Sequence, residues 1–414
     1  SINGRSVDAS TVIALDQQGR RPPSGTYTFI FEGTGEIIVS GDAVGDHRYT
    51  QAGTYELEFT PNTGGIWITV RESAASDPIR NMRFVMPGHA NTYQQRPFNP
   101  AYINFLRPFS VVRFMQTMQT SSGTYPCDNG VAPGNPSCTK GWLLRTEMND
   151  QTQAAVRGPA LEYLVDIANE SNSDLWINIQ HGADATYMRR MAEMVRDRLN
   201  RHLRVYIEYS NETFNPDSIT YPQRAWVDGN GISLNLDSNT YVAGQKFYGL
   251  RSLEMFRIFD EVFGEQRTRV VKVFVGWMVT PETTDAVLSY MAQSENNPSG
   301  VRPSAVSIAP YTGFFIAGAI IEAGTVASTT VSQILDMAEA NVVREQINIG
   351  DNSTEESILA MIQAHQAVAN RHNLSMVSYE GGQHIVQMNG NDNNVELGNK
   401  LIAANRHPRM YSIY

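Results

Sequence analysis

Two glutamates lie where carboxyl groups can do chemistry, each at the end of an apolar run. Glu212 follows residues 205–211, most of which are apolar or aromatic, and Glu380 follows residues 375–379 and precedes two glycines. Two carboxyl groups that face one another can cleave a glycosidic bond, because one donates a proton to the leaving oxygen while the other attacks the anomeric carbon or activates water. Either glutamate alone is more simply explained as a helix cap or an arginine partner. The prediction therefore depends on the two glutamates meeting.

The elements that must position these glutamates alternate between strand and helix from residue 77 onwards. Helical periodicity is clearest at 161–170, 187–199, 241–263, 331–345 and 355–372. Seven candidate strands lie outside these stretches, at 82–86, 110–115, 175–179, 204–211, 270–276, 304–309 and 376–380. This alternation predicts parallel strands with right-handed crossovers, and seven repeats favour a (β/α)8 barrel, also called a TIM barrel, over an open sheet. Only residues 410–414 remain for an eighth strand, which we expect to be short or truncated.

Residues 1–76 have a different pattern. Short runs of β-branched and aromatic residues, such as 26–31 and 66–70, are separated by glycines and show no helical period. That pattern predicts a small antiparallel, β-sandwich-like domain. We therefore expect two domains, 1–76 and a catalytic barrel over 77–414.

The order of the motifs resembles a known enzyme family. An Asn-Glu pair on the fourth predicted strand and a Glu on the seventh are similar to those of the retaining (β/α)8 glycoside hydrolases of clan A, which include cellulase-like and mannanase-like enzymes. The resemblance implies that Glu212 is the acid/base, that Glu380 is the nucleophile, and that Asn211 binds the sugar 2-hydroxyl group. The chain departs from the family at Thr213, where proline usually follows the Asn-Glu pair.

Four more residues occupy positions that the resemblance makes functional. It implies that Arg113 steadies the nucleophile and holds it ionised, that Tyr311 bonds the same carboxylate, and that His181 and Trp277 line the site. The alternatives are a core ion pair between Arg113 and Glu208, and simple packing for the other three.

Aromatic residues are also frequent in the loops expected at the cleft, among them Trp142 and Trp226. Flat rings can stack on the apolar faces of pyranose sugars, although each ring alone is as readily explained by packing of a long loop. We therefore include both tryptophans in the candidate substrate-binding set.

Composition limits the partners. The 414 residues carry a formal net charge of −10 without basic blocks, which disfavours nucleic acid and anionic membranes as partners. The longest uncharged apolar run, 313–321, is about half the length needed to cross a bilayer. Phosphate-loop, dinucleotide-binding and zinc-protease motifs are absent from the sequence, so we predict no cofactor and no metal.

Cys127 and Cys138 flank a loop rich in proline and glycine, which suits a local disulfide and an oxidising compartment, although two unrelated free thiols are the alternative. Asn211 also begins a glycosylation sequon, and a glycan there would block the predicted site. We therefore expect a bacterial protein that is secreted or periplasmic.

Together these patterns and the resemblance predict a retaining glycoside hydrolase that cleaves internal bonds of a β-linked polysaccharide. Two other functions fit the same residues: a carbohydrate-binding barrel protein without catalysis, and a lyase or isomerase that uses Glu and His.

Overall fold

The structure, a computed structural model, describes residues 8–14, 22–42, 45–60, 65–121, 123, 125–150, 152–216, 221–343, 346–348, 354–387 and 393–414. The chain divides into two compact units, Ser1–Asn104 and Phe105–Tyr414. A short helix, α1 (Pro100–Leu106), contains the division.

The described part of the N-terminal unit consists of two antiparallel sheets. Its strands are β1 (Ala9–Ala14), β2 (Gly25–Glu32), β3 (Gly35–Gly41), β4 (His47–Tyr49), β5 (Gly53–Phe59), β6 (Ile66–Ser73) and β7 (Arg80–Val85). One sheet has the order β1-β6-β3-β4 and the other β5-β2-β7. Both sheets contribute side chains to one buried cluster, in which Phe29 and Phe31 of β2 meet Ile37 of β3 and Ile66 of β6. Alternating apolar residues on short strands thus form a core between two sheets.

The C-terminal unit contains the remaining elements. Its helices are α2 (Leu161–Ser171), α3 (Ala185–Arg198), α4 (Pro222–Ser233), α5 (Thr240–Phe263), α6 (Pro281–Ala292), α7 (Ile316–Glu322), α8 (Val331–Val343), α9 (Ile358–His372), α10 (Val395–Asn405) and α11 (Pro408–Ile413). Its strands are β8 (Val111–Arg113), β9 (Asp174–Ile179), β10 (Val205–Tyr209), β11 (Val270–Val275), β12 (Ala305–Ile308), β13 (Tyr311–Thr312), β14 (Gln346–Asn348), β15 (Thr354–Glu356), β16 (Ser375–Ser378) and β17 (Gly382–Gln383). Two 3₁₀ helices, Trp142–Leu144 and Gly264–Arg269, complete the set in the described residues.

Six of these strands form one parallel sheet in the order β16-β12-β11-β10-β9-β8. The register is regular at its centre, where Val205 pairs with Leu175 on one side and with Val270 on the other. These central strands are largely apolar along their length, which is the composition expected when helices cover both faces of a parallel sheet.

The expected (β/α)8 barrel is wrong, because both strands that would close it are used differently. Residues 82–86, the predicted first strand, overlap β7, which pairs antiparallel with β2 in the N-terminal unit. Residues 410–414, the predicted eighth strand, fall mainly in α11. Within the described residues no strand joins β8 to β16, so the sheet is open and the barrel is incomplete.

The open sheet is nevertheless strongly curved. Arg113 ends β8 and Glu380 follows β16, so these residues belong to opposite edges of the sheet, yet their side chains form an ion pair of 2.7 Å. Six flat strands would place the two edges about 24 Å apart, which is beyond the reach of these side chains. The carboxyl ends of the edge strands must therefore curl towards each other.

Cys127 and Cys138 form a disulfide, which confirms that prediction. No helix in the described part of the chain is long and apolar enough to span a bilayer.

Candidate functional site

A cleft of about 300 Å³ lies near the carboxyl ends of β8, β10 and β16. Glu212 and Glu380 both line it, and so does Asn211. The other lining residues are Met115, Gln116, Ser121, Gly123 and Tyr221. The curvature of the sheet thus brings together two glutamates that are separated by 168 positions in the sequence.

Glu380 is held by two donors from different elements. Arg113 Nη1 donates to Oε1 over 2.7 Å, and Tyr311 Oη donates to Oε2 over 2.7 Å. The Glu380 side chain remains 26% exposed, so the carboxylate can still meet a molecule in the cleft. An arginine and a phenol that donate to separate oxygens stabilise the ionised form of a carboxylate.

Arg113 also forms the core ion pair that was the alternative to its functional role. Its Nε and Nη2 donate to the two carboxylate oxygens of Glu208 over 3.1 and 2.9 Å. Trp176 Nε1 donates to the same carboxylate over 2.9 Å, and the Glu208 side chain is almost fully buried. Burial raises the pKa of Glu208, against the opposing effects of Arg113 and Trp176. Burial alone would lower the pKa of Arg113, but its two glutamates raise it. Arg113 therefore bonds Glu208 and Glu380 at the same time, so the core ion pair does not prevent the contact with Glu380.

Glu212 lies in a strained turn that directly follows β10. Ser210 and Glu212 have φ angles of 60° and 44°, in the left-handed region that non-glycine residues seldom occupy. Tyr379 Oη donates to Glu212 Oε1 over 2.9 Å, and Asn215 Nδ2 donates to Oε2 over 3.1 Å. Left-handed residues in a site cost free energy and persist where the surroundings fix them. Here the turn directs Glu212 towards the cleft.

Asn211, between those two residues, is buried and firmly held. Its Oδ1 accepts from Arg113 Nη2 over 2.9 Å, and its Nδ2 donates to Ser121 Oγ over 2.6 Å. Its backbone oxygen accepts from Gln223 Nε2 over 2.6 Å. The same residue thus links Arg113 to the strained turn.

Two tyrosines act as donors to the two glutamates. Burial, and then the neighbouring Glu380, raise the pKa of Tyr311. Burial, and then Glu212, raise the pKa of Tyr379 well above its ordinary value. Both phenols therefore keep their protons throughout the physiological range. The sequence did not point to Tyr379. On a regular strand, neighbouring residues point to opposite faces, so Tyr379 would not be expected to share a site with Glu380. Both residues lie beyond the end of β16, where this alternation no longer applies.

His181 and Trp226 lie elsewhere, beside the disulfide loop. His181 Nε2 is 3.2 Å from Lys140 Nζ and 2.9 Å from the carbonyl oxygen of Pro133. Burial, and then Lys140, hold the pKa of His181 well below its ordinary value. Trp226 is buried and donates from Nε1 to the carbonyl oxygen of Cys138 over 3.2 Å.

The other two tryptophans that were predicted to bind substrate, Trp142 and Trp277, are half-buried. Trp277 stacks on Phe214 at 5.7 Å, and Trp142 packs edge-on against Tyr187 at 5.5 Å. Among the described residues that line the cleft, none is a tryptophan and none is His181.

Lys140, which the sequence did not single out, is buried with 1% of its surface exposed. Its Nζ lies 4.7 Å from the centre of the Tyr125 ring, and burial lowers the pKa of Lys140 to about 7 against the opposing effect of Asp128. A lysine inside a loop rich in proline and glycine gives no sequence signal of burial. Within the described residues, no three side chains of His, Cys, Asp or Glu are grouped to hold a metal ion.

Comparisons with known proteins give little guidance. No family model matches the chain, and no curated protein matches it. A carbohydrate esterase family 2 enzyme plus carbohydrate binding domain from Corynascus thermopiles (Myceliophthora fergusii) is 11% identical, over 55% of this chain and 86% of that chain, with a TM-score of 0.14. The GH31 alpha-xylosidase from Xanthomonas citri is 9% identical, over 73% of this chain and 41% of that chain, also with a TM-score of 0.14. At such TM-scores neither similarity carries an argument about fold or function.

Proposed function

We propose that this protein is a retaining glycoside hydrolase that acts on a β-linked polysaccharide. One observation carries the proposal: Glu212 and Glu380 line one cleft, and each carboxylate is oriented by its own set of donors. The proposal needs no closed barrel, because the curved open sheet already brings the two glutamates to the same cleft. It retains the resemblance to clan A only in the order and roles of the site residues.

In the first step Glu380 attacks the anomeric carbon while Glu212 donates its proton to the leaving oxygen. The bond from the anomeric carbon to the leaving oxygen breaks, and an ester bond to Glu380 forms. Arg113 and Tyr311 donate to separate oxygens of Glu380 and orient the carboxyl group for attack. A hydroxyl both donates and accepts, so Tyr379 can accept from Glu212 while that carboxyl group is protonated.

In the second step Glu212, now ionised, takes a proton from water, and the water oxygen attacks the anomeric carbon and releases Glu380. Two donors, Tyr379 and Asn215, then stabilise the ionised Glu212. The net stereochemistry at the anomeric carbon is retained because two inversions follow one another. We expect the enzyme to cut inside the polymer and to be exported from a bacterial cell, and the disulfide is compatible with that location.

The decisive experiment compares Glu380→Ala with wild type on a panel of β-linked polysaccharides and aryl β-glycosides. We expect Glu380→Ala to lose roughly 10³-fold or more of kcat, since the covalent step needs the nucleophile. Azide should restore turnover of the aryl glycoside and give an inverted glycosyl azide. The matched control is Glu322→Ala, which removes an exposed carboxylate at the end of α7 and should keep wild-type rates.

Wild-type hydrolysis by Glu380→Ala would refute the nucleophile assignment. Binding of a polysaccharide without any sugar release by the wild type would indicate a carbohydrate-binding protein, and unsaturated products would indicate a lyase. The anomer formed first, followed by NMR, separates retention from inversion.

A further inference from the structure

Three rings pack together beside Glu380. Tyr311, whose hydroxyl donates to Glu380, meets the His384 ring edge-to-face at 5.4 Å. Phe314 stacks on the same His384 ring, with the two ring centres 4.6 Å apart and 20° between the planes. We call Tyr311, Phe314 and His384 the aromatic ledge. It begins at the hydrogen bond that orients Glu380 and ends at an exposed phenylalanine.

The backbone beneath the ledge is fixed. β13 pairs with β17, and the His384 N–H donates to the Thr312 carbonyl oxygen over 2.6 Å. The buried Asn341 accepts at Oδ1 from Thr312 Oγ1 and from the Gly313 N–H, over 3.0 and 2.6 Å. Gly313 has a φ of +84°, and a Cβ atom there would lie 2.5 Å from Ile385. The chain thus takes a conformation that favours glycine, and this conformation places the ring of the next residue.

Phe314 is the exposed member of the ledge. It is 43% exposed although His384 covers part of it and Phe315 contacts it at 5.3 Å. A rigid ring in an exposed position loses little conformational freedom when it binds a partner. The face of an aromatic ring carries partial negative charge, and the axial C–H groups of a pyranose carry partial positive charge, so the two surfaces attract.

We propose that the aromatic ledge binds a pyranose unit of the polysaccharide next to the unit that Glu380 attacks, with Phe314 as the stacking surface. The inference rests on the proposed function and deepens it, because it assigns a binding position to a second sugar unit of the polysaccharide. Tyr311 links the two positions: its hydroxyl holds Glu380 and its ring adjoins the ledge.

The test is calorimetric titration of cello-oligosaccharides and manno-oligosaccharides of two to six units into Glu380→Ala protein, with Phe314 intact or replaced. Phe314→Ala should weaken binding of the longer oligomers about tenfold, and Phe314→Trp should restore it. Phe109→Ala is the matched control, because Phe109 is also an exposed phenylalanine but precedes β8, at the opposite end of that strand from the cleft. It should bind like the parent.

Equal affinities of the Phe314→Ala and parent proteins, or no binding of either series by the parent, would overturn the proposal. This readout is independent of turnover. A protein whose binding depends on Phe314 but which releases no sugar would contradict the proposed hydrolysis alone, whereas an active enzyme insensitive to Phe314→Ala would contradict the ledge alone.

Discussion

Replacing Lys140 with methionine should change how the stability of the protein depends on pH. Lys140 is buried beside His181, and burial lowers its pKa to about 7, whereas a lysine in the unfolded chain titrates near 10.5. Between these two values the unfolded chain holds a proton that the native protein has lost. Stability rises with pH wherever the unfolded state binds more protons, so the wild type should gain stability from pH 7 to about pH 10.

The size of the effect follows from the same two values. In that window one proton is taken up on unfolding, which corresponds to about 1.4 kcal/mol per pH unit. From pH 7.5 to 9.5 the wild type should therefore gain roughly 2.5 kcal/mol relative to Lys140→Met, a substitution of similar volume. The neighbouring groups of the native protein do not titrate between pH 7.5 and 9.5. The pKa of His181 lies well below 6.5, that of Tyr125 is raised to about 12, and that of Tyr187 is raised well above 10.

The assay is guanidinium unfolding of wild type and Lys140→Met at pH 6.5, 7.5, 8.5 and 9.5, followed by tryptophan fluorescence. The sequence contains two cysteines and both are in the disulfide, so no thiol is free to exchange at high pH. Lys140→Arg serves as a control, because a guanidinium stays charged throughout this range. A difference in unfolding free energy between wild type and Lys140→Met that stays constant over these pH values would refute the reasoning.

Two further predictions concern the site. Tyr379→Phe removes the donor to Glu212 but keeps the ring over Arg113, so we expect kcat/KM to fall about tenfold. Wild-type kcat/KM in steady-state kinetics would rule out this role for the phenol. Glu208→Gln leaves the Arg113 guanidinium without its buried anion, so it should cost about 3 kcal/mol of unfolding free energy and lower kcat more than it changes KM. Unchanged denaturant midpoints would show that the pair contributes nothing to stability.

The sequence predicted the six parallel strands well, because buried strands carry apolar runs that differ from helical periodicity. It wrongly predicted a closed barrel, since residues 82–86 look the same whether their partner is parallel or antiparallel. The C-terminal residues held a usable signal, because Pro408 at the first position of a helix is favourable and His407 accepts from the Arg409 N–H as a cap. Strand pairing over long distances leaves no such local mark.

The residues of the candidate site also differ in whether the sequence could predict them. Positions at the carboxyl ends of strands, such as Glu212, Glu380 and Tyr311, were predictable because strand ends gather at one edge of a parallel sheet. Tyr379 and Lys140 were not, because their roles depend on burial and on partners that only the folded chain supplies. His181 showed the converse: its position after a strand suggested the cleft, but the disulfide loop covers it.

The shared guanidinium of Arg113 has a consequence for the proposed reaction. Two of its nitrogens are fixed by an inaccessible anion, so in that reaction the third would stay in place while the charge on Glu380 vanished and returned. Such a site would be preorganised, because the reorganisation that a mobile cation would undergo in each cycle is already completed when the chain folds.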